Sequence, residues 1–174
     1  MLYLLLEVAG QQYAVEAPRV VEVLPLVQVT VIPRAPTEVA GIFSYRGRPV
    51  PLIDLRRLTL RRPARPKFST RIILVADRGA DGSEQLIGII AERVTETTRR
   101  SPADFEDTGF SNPATPYLGG VATTNDGLVQ RLDVQRLLPQ ATREMLFATP
   151  ARSAGQGHCP GEARRESGGG ASPA

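Results

Sequence analysis

Apolar positions along this chain come in short blocks separated by Gly, Pro and charged residues, and few blocks last long enough for a helix. The opening run from Met1 to Val8 ends at Ala9-Gly10, and Tyr13-Ala14-Val15 follows. Gly10-Gln11-Gln12 between two apolar segments predicts a hairpin. Pro18 to Leu24 sets three valines around Glu22; its β-branched density predicts a strand, and Pro18 can open a short helical turn. The alternation of Val27 to Ile32 predicts a half-buried strand. After the break at Pro33-Arg34-Ala35-Pro36, another strand starts over Val39 to Phe43. Pro49 and Pro51 flank Val50, which predicts a sheet margin, because proline has no N–H to give a ladder. Asp54 is placed to cap one helical turn over Leu55 to Leu58. Arg61 to Pro66 is a connector. Arg71 to Ala76 and Leu86 to Ala91 read as buried partner strands around a Gly/Asp loop. Ser101 to Pro116 reads as an irregular loop, and Leu137 to Phe147 as a short closing helix. Short β runs with little helical periodicity predict an all-β fold.

One pattern occurs twice. Gly41 is followed by Ile42, Gly47, Val50 and Asp54; Gly120 is followed by Val121, Gly127, Val129 and Asp133. Thirteen positions separate Gly from Asp in each copy, and the copies lie 79 residues apart. Both Asp residues lead into Leu/Arg stretches and read as helix caps. A fainter pair, Val20-Val21-Glu22 and Val94-Thr95-Glu96, is offset by 74. Two copies are too few for a solenoid and predict two similar subdomains packed together.

Composition narrows the function classes. At 174 residues with 41% hydrophobic and 22% charged, the chain suits one globular domain, and without Trp its core must be aliphatic. A net charge of +3 could suggest nucleic acid. The arginines are scattered among acids, however, and the densest cluster, Arg56 to Lys67, sits in a Pro-broken connector without interleaved aromatics. The only Cys and only His, Cys159 and His158, make at most half of a zinc site. Leu2 to Leu6 is too short to span a membrane and lacks a basic leader, so the expected compartment is the cytoplasm. Neither a nucleophile–base pair, nor calcium-loop spacing near Asp77 and Asp81, nor a phosphate loop at Gly79 to Gly82 can be assembled. No catalytic residue, metal or cofactor is expected. From about Thr149 the chain turns to Ala, Gly, Ser and Pro, so residues 149–174 are expected to be a disordered tail.

Residues 41–55, Gly-Ile-Phe-Ser-Tyr-Arg-Gly-Arg-Pro-Val-Pro-Leu-Ile-Asp-Leu, resemble the central signature of the CheW-like chemotaxis coupling proteins. Ser44 and Tyr45 replace the usual Asn and Leu. Tyr13-Ala14-Val15, Val20-Val21-Glu22-Val23-Leu24, Ile32 to Pro36, Leu86 to Val94 and Gly127 to Leu138 resemble further family elements, with Ala91 and Glu92 at the usual Val and Asp places. The resemblance implies an all-β fold of two small interleaved five-stranded β-barrel subdomains with short helical turns. Because it places the first strand in the second barrel, a domain over 1–148 would divide into approximately 9–66 and 2–8 plus 68–140.

The resemblance also implies a non-enzymatic adapter that binds a methyl-accepting chemoreceptor's cytoplasmic tip and the regulatory domain of a CheA-like histidine kinase, beside the membrane and without insertion. It implies that Glu22 and Arg46 pair near a groove between the barrels. Independently, each charge lies within an apolar segment, and a partly buried charge needs a partner. The pair could hold two segments in register, contact a partner, or both. Val20, Val23 and Gly41 would line the groove. Gly41 and Gly47 read either as backbone necessities, since Gly enters positive-φ turns freely, or as partner-binding positions whose small size lets a partner helix approach closely. The alternatives are a basic small-barrel nucleic-acid binder, and a diverged adapter serving surface motility or a second-messenger pathway.

Overall fold

The computed structural model describes residues 1–78, 82–107 and 112–147; the expected tail over 149–174 lies outside them. Ten strands run β1 (Leu2–Val8), β2 (Gln11–Glu16), β3 (Val20–Pro25), β4 (Val39–Tyr45), β5 (Arg48–Asp54), β6 (Arg71–Arg78), β7 (Glu84–Ala91), β8 (Arg93–Arg99), β9 (Leu118–Thr124) and β10 (Gly127–Leu132). Helices α1 (Leu55–Leu60) and α2 (Gln140–Phe147) complete the fold, with single 3-10 turns at Ala17–Arg19, Pro102–Asp104 and Val134–Arg136.

The strands form two five-stranded sheets in the orders β8-β1-β2-β10-β9 and β3-β6-β7-β5-β4. Each sheet combines a hairpin from one half of the chain with three strands from the other. The interleaving therefore differs from the expected division. Both β1 and β2 join the later strands, and β6 and β7, expected in the second subdomain, complete the earlier sheet. The two joints are alike, because β10 pairs with β2, and β5 with β7, in parallel.

The apolar blocks owe their unbroken character to burial on both faces. In β1, Leu4, Leu6 and Val8 face a large core shared by the two sheets, while Tyr3 and Leu5 face a smaller core with Phe105, Ala122 and Val129. In β6, Ile73 and Val75 join the shared core, whereas Ile72 and Leu74 face a third cluster with Phe43, Val50 and Leu52.

Neither sheet closes into a barrel. The edges β3 and β4 are not paired with each other. After β3, the chain instead reaches across to make one bridge, Thr30 to Ile42, with both bonds at 2.8 Å. Glu106 bridges Val121 in the same way beside β9. The segment Val27 to Ile32 is thus not the expected strand: apart from this bridge it is extended coil. Its alternation sits on an edge where only Val29 and Ile32 pack inward. The first hairpin turns at Ala9-Gly10, one residue earlier than expected, with φ of 51° and 83° at its two central residues. β5 is an interior strand despite its prolines. Its ladder to β7 begins at Leu52, beyond Pro49 and Pro51, so their missing N–H groups remove no bond there. The Arg93–Arg99 strand carried no apolar signal in the sequence.

The repeat is structural. Asp54 accepts from the amides of Arg56 at 2.9 Å and Arg57 at 3.2 Å to cap α1, and Asp133 accepts from that of Gln135 at 3.0 Å to cap the turn at Val134–Arg136. The Asp54 amide donates to the Glu38 carbonyl and the Asp133 amide to that of Tyr117, the same 79-residue offset. Gly41 and Gly120 are required by close approach: a Cβ on Gly41 would fall 2.2 Å from the Thr30 carbonyl oxygen, and one on Gly120 would fall 2.7 Å from that of Phe105. Gly41→Ala should therefore break the Thr30–Ile42 bridge as well as strain a φ of 147°, destabilising by about 1–3 kcal/mol in urea unfolding. Gly47→Ala meets nothing within 4 Å and should cost only the positive-φ penalty of about 1 kcal/mol. Equal losses in the two variants would refute the close-approach reading.

Candidate functional site

Glu22 lies in the middle of β3, and Arg46-Gly47 form the two-residue turn between β4 and β5, so the site brings together the two open edges of one sheet. Positive φ at both Arg46 (49°) and Gly47 (77°) gives the turn the twist that a tight hairpin favours. The Arg46 guanidinium stands 3.5 Å from the Glu22 carboxylate, and the closer partner of that carboxylate is Tyr45, whose hydroxyl donates at 2.6 Å. The same guanidinium lies 5.0 Å over the Tyr45 ring. The bond to Glu22 is the main cause that raises the Tyr45 pKa above its ordinary 10.0, so the phenol stays a donor.

Glu22 and Arg46 do meet, with Glu22 partly buried and Arg46 exposed. Their side chains are 40% and 77% exposed. Both belong to a sheet margin, where an apolar sequence neighbourhood does not enforce burial. Such a pair is worth about 0.2–1 kcal/mol, less than a buried one. Tyr45 was visible in the sequence as a departure from the family signature, but its role as the third member was not.

The other anticipated residues divide. Val20 sits opposite Val75 and Val23 opposite Ile73, whose side chains belong to the shared core. Residues paired across strands share a face, so both valines lie at the margin of the layer between the sheets. A bulge between Val20 and Glu22 makes this alignment. Val20 packs against the core, while Val23 is exposed, as are Val21, Leu26, Val27 and Val31 of the same segment. Gly41 is not open to a partner, because Thr30 and Val29 of its own chain fill the space beside it. Gly47 is exposed at the turn.

Two buried ion pairs escaped sequence reading. Arg56 on α1 binds Glu92 at 2.5 Å, with side chains only 10% and 11% exposed. Glu92 also accepts from the amides of Ala9 at 2.9 Å and Arg65 at 3.1 Å. One carboxylate thus joins the first hairpin, α1 and the connector. Burial pushes the Glu92 pKa up, but those two amides and the Arg56 guanidinium outweigh it and hold the carboxyl below its ordinary value. Arg143 on α2 binds Asp77 at the end of β6 and also donates to the carbonyl of Gln135 at 2.8 Å. These partners lie 36 and 66 residues apart, with no local pattern to link them. Among the described residues no group of three or more His, Cys, Asp or Glu could hold a metal ion, and no helix is long and apolar enough to cross a membrane.

Comparison with known proteins agrees with this geometry. The family model described as CheW-like domain matches residues 2–142. The chain is 28% identical to the chemotaxis protein CheW of Helicobacter pylori over 134 residues, 75% of this chain and 77% of that protein. It is 30% identical to protein FrzA of Myxococcus xanthus, covering 77% of this chain and 82% of that one. Its fold matches the crystal structure of the scaffolding protein TtCheW from Thermoanaerobacter tengcongensis with a TM-score of 0.72 at 26% identity, across 83% of this chain and 92% of that one.

Arg56→Ala should strand the Glu92 carboxylate and destabilise by about 3 kcal/mol. Glu92 has a lowered folded pKa, so its contribution is present above the unfolded value near 4.5 and is lost as pH falls through the lower folded value. Stability measured by denaturant unfolding should fall with pH below about 4.5 more steeply in the parent than in Glu92→Gln. Parallel pH profiles would show that Glu92 is not held as the geometry indicates.

Proposed function

The chain belongs to the CheW-like domain family, and from that premise we propose that it couples the cytoplasmic tip of a chemoreceptor to the regulatory domain of a CheA-like histidine kinase. Members of the family are scaffolds rather than enzymes, and this chain is a non-enzymatic adapter of that kind. It works in the cytoplasm, against receptors that are themselves anchored in the membrane.

The observation that carries the reading is the exposed apolar strip of Val21, Val23, Leu26, Val27 and Val31 beside the Glu22–Tyr45–Arg46 cluster. Exposed apolar side chains gathered along one edge segment beside charged groups suit a protein-binding surface. An amphipathic receptor helix laid on Val23 would bury its apolar face while its polar flank meets Glu22 and Arg46. Val20 supports this surface from beneath. Gly47 sets the turn that aims Arg46, and Gly41 acts through the backbone. The kinase would use a separate surface, which allows both partners to be held at once. Receptor conformation would then reach the kinase by biasing the assembly.

Calorimetry with a receptor cytoplasmic hairpin tests the reading. Val23→Asp, Glu22→Ala and Tyr45→Phe should each weaken receptor binding about tenfold or more, while Glu22→Ala shifts stability by no more than about 1 kcal/mol. A double-mutant cycle on Glu22 and Tyr45 should show coupling in binding. Unchanged affinity in all three variants would move the receptor site off this edge. Coupling seen in stability alone would make the cluster a purely structural clasp.

A further inference from the structure

The connector between α1 and β6 has features that neither the fold nor the receptor surface uses. From Leu55 to Ala76 there is no Asp or Glu, while Arg61, Arg62, Arg65, Lys67 and Arg71 fall in this stretch. The loop is built rather than loose. The Ala64 amide donates to Asp54 Oδ2 at 2.8 Å, the Arg65 amide to Glu92 Oε1, and the Ser69 hydroxyl to the Glu92 carbonyl at 2.9 Å. Thr70 is buried and fastens the loop to itself, its hydroxyl donating to the Arg65 carbonyl at 2.7 Å and accepting from the Lys67 amide at 3.0 Å.

This fixed backbone holds Phe68 97% exposed, with Leu60 half exposed nearby in sequence. The Arg71 guanidinium lies 6.0 Å over the Phe68 ring. The carboxylates that anchor the loop, Asp54 and Glu92, take up Arg57 and Arg56. Arg61, Arg62, Arg65 and Lys67 have no ion pair among the described residues and are exposed. A large aromatic side chain on an ordered loop within unneutralised cations has the composition of an interface hot spot.

We infer that this loop is a second docking surface, which takes an acidic protein segment with an apolar seat for Phe68. The charge of the loop sets the acidity of the partner, and Phe68 sets the need for an apolar seat. That the partner is a protein rests on the adapter reading above. The loop lies apart from the Arg46-Gly47 turn of the receptor edge, while its Arg71 end pairs with Pro25, next to Leu26 of the receptor strip. The connector leaves the Asp54 end of β5 and the Arg46-Gly47 turn lies at the other end, a seven-residue strand away, roughly 20 Å at strand rise.

The test uses the full chain and fluorescence anisotropy of a short labelled peptide of glutamates with interspersed leucines. A lysine/leucine peptide and a thymidine oligonucleotide serve as comparisons. The acidic peptide should bind and weaken as salt screens it. Phe68→Ser, and separately the double reversal Arg62→Glu with Lys67→Glu, should each reduce its affinity about tenfold or more. The reversal should also gain affinity for the lysine/leucine peptide. These side chains are exposed, so thermal midpoints should match the parent. Acidic-peptide binding that is absent, or indifferent to both variants, overturns the inference. Tighter, Phe68-dependent binding of the oligonucleotide overturns it in favour of a nucleic-acid face. Receptor binding measured in parallel separates the two proposals, because loss of one with retention of the other identifies which has failed.

Discussion

Each sheet is completed by strands borrowed from the other half of the chain, and the rest of the structure depends on that constraint. Without β6 and β7, the sheet of β3, β4 and β5 loses its two central members; without β1 and β2, the other sheet loses the strands that link β8 to β10. Unpaired backbone groups in so apolar a setting are costly. Neither half can therefore stand alone, although each resembles a small domain in sequence. The shared core has the same consequence. Its residues come from both hairpins and both three-strand units, so it does not exist until all four pieces are in place. Glu92 fastens this arrangement by binding the first hairpin through Ala9 and helix α1, which follows β5 of the other sheet, through Arg56.

Much of this was legible in the sequence because it rests on local chemistry. The Gly-to-Asp spacing marks a backbone that passes another segment too closely for a Cβ and then ends in a capped turn, and both requirements operate within fourteen residues of one another. Strand boundaries set by Gly and Pro were legible for the same reason. The exchange of hairpins was not, because β1 and β6 are equally apolar and both are buried on two faces. Nothing in either run states which sheet it enters. β8 was missed because this edge strand sends only Val94 against the shared core, and Arg93–Arg99 is otherwise polar. β5 was misjudged because a proline's position counts only against the partner actually present.

The candidate site shows the same division. Glu22 and Arg46 were found as charges within apolar segments, but an apolar neighbourhood measures burial only when the strand is central. On the edge strand β3 and at a turn, those charges reach water. The ion pairs that are buried, Arg56–Glu92 and Asp77–Arg143, involve charges that in sequence sit next to other charges or at strand ends. Sequence reading expects such residues to be solvated. Tertiary proximity decides their state, and proximity across 36 or 66 residues has no signal in one chain.

What is duplicated and what is not separates scaffold from surface. Gly41 and Gly120, Asp54 and Asp133, and the bridges at Ile42 and Val121 occur in both halves. They are demands of the backbone, and a substitution at any of them acts on the fold first. The outer strands differ. β3 exposes Val21 and Val23, whereas β8 presents threonines, arginines and a glutamate. The turn that carries Tyr45 and Arg46 to Glu22 has as its counterpart Asn125-Asp126, next to Thr124, with neither an aromatic nor a cation. A repeat that was only structural would have no reason to diverge so strongly on one edge while keeping its glycines and caps. The divergence falls where the sheet is open to another molecule. It gives a nearly two-fold molecule two unlike ends, as an adapter between two different partners requires.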